Sequence, residues 1–138
     1  MTLLAFERRW LAAVFETILP SSADARLAIG AADVPMMRFV DDLWRVSSWR
    51  LRAAVRLALW VVALSPMVAL GRARTFARLG PGERLACLRR LASSRVYLVR
   101  ELPIVLKGIA CLGYCGLPEV QKRIGIHGVD AEPPAWAR

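Results

Sequence analysis

Residues 51–70 read LRAAVRLALWVVALSPMVAL, the most hydrophobic run in the chain, and how this run is read decides the fold. From Leu57 to Leu70 it carries no charge, which makes 14 residues, whereas a membrane-crossing helix needs ~20 apolar residues to span a hydrocarbon core of ~30 Å. Pro66 interrupts it, and Arg50, Arg52 and Arg56 stand at its front end. A helix apolar on all sides must be buried in protein or in lipid. The shortness predicts the first: a central helix covered on most sides, with Pro66 kinking or dividing it and Ser65 satisfying part of the freed backbone. Contact with a membrane surface is the competing reading.

Outward from this run the chain reads as helices. Towards the N-terminus, Phe6, Trp10, Val14 and Ile18 recur every four residues, which predicts a helix over 3–19 with Glu7, Arg8, Arg9 and Glu16 on its outer side and Pro20 as its stop. Asp33-Val34-Pro35 predicts a helix start, the aspartate accepting from free amides and the proline tolerated in the first turn. Met36, Phe39, Val40, Leu43 and Trp44 supply its buried stripe. Asp41 and Asp42 are adjacent, but neighbouring helix positions point about 100° apart and do not form an acid–base pair. Ser47 or Ser48 caps the central run, and Gly71 ends it.

Towards the C-terminus, Phe76 and Leu79 lie in a linker before Gly80-Pro81-Gly82. A helix from Glu83 follows, with Leu85, Leu88, Leu91 and Ala92 inward and Arg84, Arg89 and Arg90 outward. After Ser93-Ser94 a helix over 95–115 is expected to bury Leu98, Leu102, Val105, Ile109 and Leu112, bent or bounded by Pro103. Lys107, the one charge between Leu102 and Leu112, reaches solvent by its alkyl stem or pairs with a carboxylate such as Glu101. Residues 113–118 read as a turn, and a short helix runs from Pro118 to Arg123. The fold class is all-α: one small bundle of five or six helices over residues 1–128, and an extended tail, 129–138, that carries Trp136.

Composition narrows the function. Lysine plus arginine outnumber aspartate plus glutamate by 20 to 11, a net charge of +9, and only Lys107 and Lys122 are lysines. Such charge attracts acidic protein surfaces, anionic lipid or nucleic acid. The arginines are dispersed, and no zinc-finger spacing, basic region feeding heptads or aromatic-rich strand pattern accompanies them, so nucleic acid is not expected as a partner. The residues are 57% hydrophobic, more than a comfortable monomer surface requires, and this points to a subunit. No dinucleotide, P-loop or HExxH motif is present, and the one histidine, His127, lies between glycines without an oriented nucleophile, so neither catalytic, cofactor-binding nor metal-binding residues are assigned. Cys111 and Cys115 share a helix face but lack a second pair of ligands; core filling is the simpler role for them. Three cysteines and no recognisable export leader predict a cytoplasmic chain that acts there or at the inner membrane surface.

Several short motifs then resemble a family. Residues 15–20 (FETILP), 30–35 (GAADVP) with Phe39-Val40-Asp41, Phe76 and Leu79 ahead of Glu83-Arg84, and the 113–118 stretch (GYCGLP) leading to Ile124-Gly125 are similar to the small subunit (subunit 3) of gluconate 2-dehydrogenase-type complexes. Glu16 stands where that family has aspartate. The chain also resembles the helical N-terminal region of long-chain fatty alcohol oxidases, through Arg84, Ser93-Ser94, Arg100 and Lys107. The resemblance implies a non-catalytic accessory subunit in a heterocomplex with a separately encoded, FAD-dependent oxidoreductase of the glucose-methanol-choline (GMC) type, acting on alcohols or sugars. FAD is expected in the partner and no cofactor in this chain. Trp49, Trp60, Pro66, Arg100, Lys107, Tyr114 and Trp136 are the candidate partner-contacting residues. The alternative is a peripheral membrane protein whose helix from Trp49 and its arginines bind anionic lipid.

Overall fold

The computed structural model describes residues 3–21, 28–69, 71 and 73–125, and shows an all-α bundle of six α-helices. The helices are α1 (Ala5–Ile18), α2 (Met36–Val46), α3 (Trp49–Ala69), α4 (Pro81–Ala92), α5 (Tyr97–Cys115) and α6 (Pro118–Arg123), with short 3₁₀ turns at Ala31–Asp33 and Phe76–Arg78. His127, Trp136 and the tail over 129–138 lie outside the described residues.

Local chemistry explains most of the boundaries. Prolines open α4 and α6, where a missing N–H costs nothing because the first amides of a helix have no partner within it. The Gly80 amide donates to the Glu83 carboxylate at the start of α4, and the Ser48 hydroxyl accepts from the Leu51 amide, 3.3 Å away, at the start of α3. Gly71, at φ 61°, takes the left-handed conformation that lets the chain turn away after α3. Asp33 does not begin α2, contrary to expectation. It closes the 3₁₀ turn before that helix, its carboxylate accepting from the Gly30 amide at 2.8 Å, and α2 starts at Met36 without a side-chain cap.

Pro66 neither divides nor ends α3, which runs unbroken from Trp49 to Ala69. A proline in a helix deprives the carbonyl four residues earlier of its donor. Here that carbonyl belongs to Val62, and it accepts the Ser65 hydroxyl at 2.8 Å instead. The same hydroxyl lies 3.1 Å from the buried Cys87 thiol of α4, so the repair of the proline site also joins two helices.

The hub of the bundle is α5, which packs against each of the other five helices, rather than α3. Its inward residues are Pro103, Leu106, Ala110, Gly113 and Tyr114. The expected stripe of Leu98, Val105 and Leu112 faces solvent, and only Leu102 and Ile109 of that set pack on the core. Apolar residues surround α5 on nearly every side, so periodicity alone does not select the buried one. Helix α3 lies against α1, α4 and α5 with Val55, Ala58, Leu59, Val62 and Ala63 inward. Its opposite side is open, which corrects the expectation of a helix covered on most sides.

Residues 15–20, 28–35 and 113–118 meet around the 3₁₀ turn at Ala31. The Ala31 amide donates to the Leu19 carbonyl at 2.9 Å, and the Tyr114 hydroxyl donates to the Ile29 carbonyl at 2.5 Å. Gly113 lets α5 approach Met36 and Phe39 of α2. These residues serve the packing of the bundle.

Candidate functional site

Helix α3 presents an apolar stripe to solvent. Trp49, Ala53, Leu57, Trp60, Leu64, Met67 and Val68 are all exposed, with Val68 91%, Trp49 72%, Leu57 64% and Trp60 37% accessible. At 1.5 Å per residue the stripe extends for roughly 30 Å. Residues of neighbouring elements stand beside it along its length. Trp44 of α2 and the stems of Arg52 and Arg56 enclose a hollow of about 510 Å³ along the first half. Leu91, Ser93, Ser94 and Val99, together with Arg90, enclose one of about 850 Å³ along the second. Leu57 and Trp60 line both hollows, so the two form one groove with Trp60 at its waist.

Trp60 is fixed by a hydrogen bond and two ring contacts. Its indole N–H donates to Oε1 of Glu7 at 2.8 Å, and its ring meets those of Trp10 and Phe6 edge-to-face at 5.3 and 5.8 Å. Trp10 and Phe6 meet each other in the same way at 5.0 Å. Such pairs favour contact between a positive ring edge and a negative face, which fixes the angles between the rings as well as filling space.

Glu7, expected on the outer side of α1, has no accessible surface. Its carboxylate collects four hydrogen bonds: from the Leu4 amide at 2.8 Å, from Nε and Nη2 of Arg56 at 2.6 and 2.5 Å, and from Trp60. Burial pushes the Glu7 carboxyl upward, but the Arg56 guanidinium and the two N–H donors outweigh it and hold the pKa at about 2. Arg56 is correspondingly raised by the same pair. The spacing from Leu4 to Glu7 matches a helix N-terminus whose third residue reaches back to the cap amide, and Arg56 lies within an otherwise apolar run. The first signal places the Glu7 carboxylate near the cap amide, but neither names Arg56 as its partner, because that pairing depends on how α3 packs against α1.

The structure separates the remaining candidate residues. Trp49 and Trp60 lie in the groove, and Arg50 is stacked over Trp49 at 5.7 Å. Arg100 lies over Tyr97 at 5.5 Å on the exposed start of α5. Lys107 is exposed beside a separate cleft that also involves Ile18, Leu85 and Ile104. Pro66 and Tyr114 are buried in the core and have no surface to offer a partner, because one fills the inward side of α3 and the other anchors Ile29. Trp136 lies outside the described residues.

Other details depart from the sequence reading. Arg84, expected outward, is largely enclosed and donates to Glu16 and to the Ala77 carbonyl. Leu85 is exposed, while Cys87 takes the inward position. Cys115 is exposed and Cys111 is partly so, which removes the core-filling role assigned to them. Among the described residues no three His, Cys, Asp or Glu side chains gather as a metal site. By length and composition Trp49–Val68 is sufficient to cross a membrane, although one side of it is built into the core. The chain matches no family model, no curated protein and no solved structure.

Proposed function

We propose that this chain is the non-catalytic small subunit of an oxidoreductase complex, binding and stabilising a separately encoded FAD-dependent enzyme of the GMC type through the groove on α3. The observation that carries the subunit reading is the uninterrupted apolar stripe of Trp49, Leu57, Trp60, Leu64, Met67 and Val68. A contiguous apolar surface of this extent on a small chain marks an interaction site. Trp60, pre-positioned by Glu7 and two aromatic rings, has the character of an interface anchor: large, amphipathic and already ordered before binding. The identity of the partner rests on the motif resemblance to gluconate 2-dehydrogenase small subunits and fatty alcohol oxidases. In this reading the flavin chemistry belongs wholly to the partner, and the complex works in the cytoplasm, near the inner membrane surface.

The test is co-expression with a GMC-type flavoprotein from the same genome. The expected result is a complex that survives size exclusion, and a flavoprotein that loses FAD occupancy and melting temperature when this chain is omitted. A flavoprotein equally stable and active without it, beside a monomeric and soluble small chain, overturns the proposal. The length and apolarity of Trp49–Val68 favour a second reading, adsorption to anionic lipid. Flotation of the chain with liposomes in the absence of any partner is its expected signature.

A further inference from the structure

The groove has a period, a shape and a charge, and the three agree on what fits it. Ala53, Leu57, Trp60, Leu64 and Met67 recur at steps of four, three, four and three, the mean of ~3.5 residues with which one helix offers a seam to another. The surface is hollowed twice along its length, with Trp44 beside the first half and Leu91 and Val99 beside the second. A helix with its side chains is ~10–12 Å across and can lie along such a surface with its apolar side chains entering the two hollows.

Both hollows carry basic residues. Arg52 and Arg56 flank the first half and Arg90 the second, and among the described residues no carboxylate lines either hollow. Glu7 neutralises Arg56, and among the described residues no carboxylate pairs with Arg52, whose guanidinium donates to the Ser47 carbonyl, or with Arg90. A second copy of the chain is poorly matched to this surface. A parallel pair of α3 helices sets Arg50 and Arg52 against their own copies, and an antiparallel pair brings Arg52 of each towards Arg90 of the other. We propose that the groove receives one amphipathic helix of a partner protein, with apolar residues at heptad a and d positions and carboxylates along its flanks. The inference deepens the subunit reading and rests on it only for the existence of a protein partner.

The test uses a synthetic peptide of about three heptads with Leu at a and d, Glu at e and g, and Ala and Gln elsewhere; its like charges keep it from pairing with itself. A second peptide carries Lys in place of Glu, and vesicles of equimolar phosphatidylglycerol and phosphatidylcholine form the third arm. Labelled-peptide anisotropy with the intact chain should show the Glu peptide binding about tenfold more tightly than the Lys peptide, with the difference shrinking as salt rises. The Leu57→Gln/Val68→Gln variant, altered only at exposed positions, should lose binding while keeping its helical circular dichroism. Arg90→Glu should narrow or invert the preference between the peptides. Equal affinity for the two peptides, or capture by vesicles with neither peptide bound, overturns the proposal. Because no flavoprotein is present, failure here leaves the co-expression result standing, and failure of co-expression leaves this result standing.

Discussion

Glu7 shows how much one residue can carry that a helical wheel conceals. It sits beside Arg8 and Arg9, a run that reads as solvated. Of the three, Glu7 is the one turned fully inward, while Arg8 pairs at the surface with Asp41 of α2. The periodicity of α1 could not reveal this, because the reason lies on another helix, where Arg56 and Trp60 present donors that need an acceptor. The energetic consequence has a definite sign. A carboxyl held at about 2 in the folded chain, against 4.5 ordinarily, contributes stability that is complete above pH 4.5 and is lost as pH falls from there towards 2. At ~1.4 kcal/mol per pKa unit the contribution is roughly 3 kcal/mol, of which about 2 should be gone by pH 3. Glu7→Gln keeps the shape but leaves Arg56 without its countercharge, at an expected cost of about 3–5 kcal/mol near neutral pH. Urea unfolding of both proteins at pH 7 and pH 3 reads this directly. The gap between them should narrow at pH 3, and a gap independent of pH would assign the stability to packing alone.

At the level of elements, the sequence discloses where helices begin and end better than which side of them is buried. The prolines at 20, 81 and 118, the glycines at 71 and 80 and the serine at 48 act through local backbone chemistry, and each marks a boundary close to where the structure has it. Burial is a property of neighbours. In α5 the sequence offers Leu98, Val105 and Leu112 on one side and Leu106 and Ala110 on another, and only the positions of α2, α3 and α4 choose between them. Two glycines of this helix report the same choice. A Cβ on Gly113 would lie 2.5 Å from Cδ1 of Phe39 and 3.0 Å from the Met36 methyl, so Gly113→Ala must push α2 away or turn the ring, at about 1–3 kcal/mol. A Cβ on Gly108 meets nothing within 4 Å, and Gly108→Ala should stabilise the helix by about 0.5–1 kcal/mol through the backbone alone. Thermal midpoints of the two variants should therefore move in opposite directions. A fall in both would mean that the outer side of α5 is covered.

For the molecule as a whole, two features evident in the composition oppose each other in space. The excess of apolar residues appears as the open stripe on α3, which favours association, while the net charge of +9 resists bringing two copies together. Composition shows that both exist, but their shared location, guanidinium groups beside an apolar groove, depends on the packing of α4 against α3 and could not be read from either helix separately. Which force governs the isolated chain depends on screening. At ~0.1 M salt the Debye length is ~10 Å, long enough for Arg52 and Arg90 of facing copies to repel across a groove; at ~1 M it is ~3 Å, and that repulsion is largely removed. Hydrophobic contact is not weakened by the same change. Sedimentation velocity should accordingly show a monomer at low ionic strength and reversible self-association at high. The order would be reversed if ion pairs between copies were the attraction. Leu57→Gln/Val68→Gln should abolish the high-salt association, because it removes apolar surface from the stripe and leaves the charge unaltered. Arg90→Glu should allow association already at low salt, because in an antiparallel pair it replaces an Arg52–Arg90 repulsion with an attraction while leaving the stripe intact.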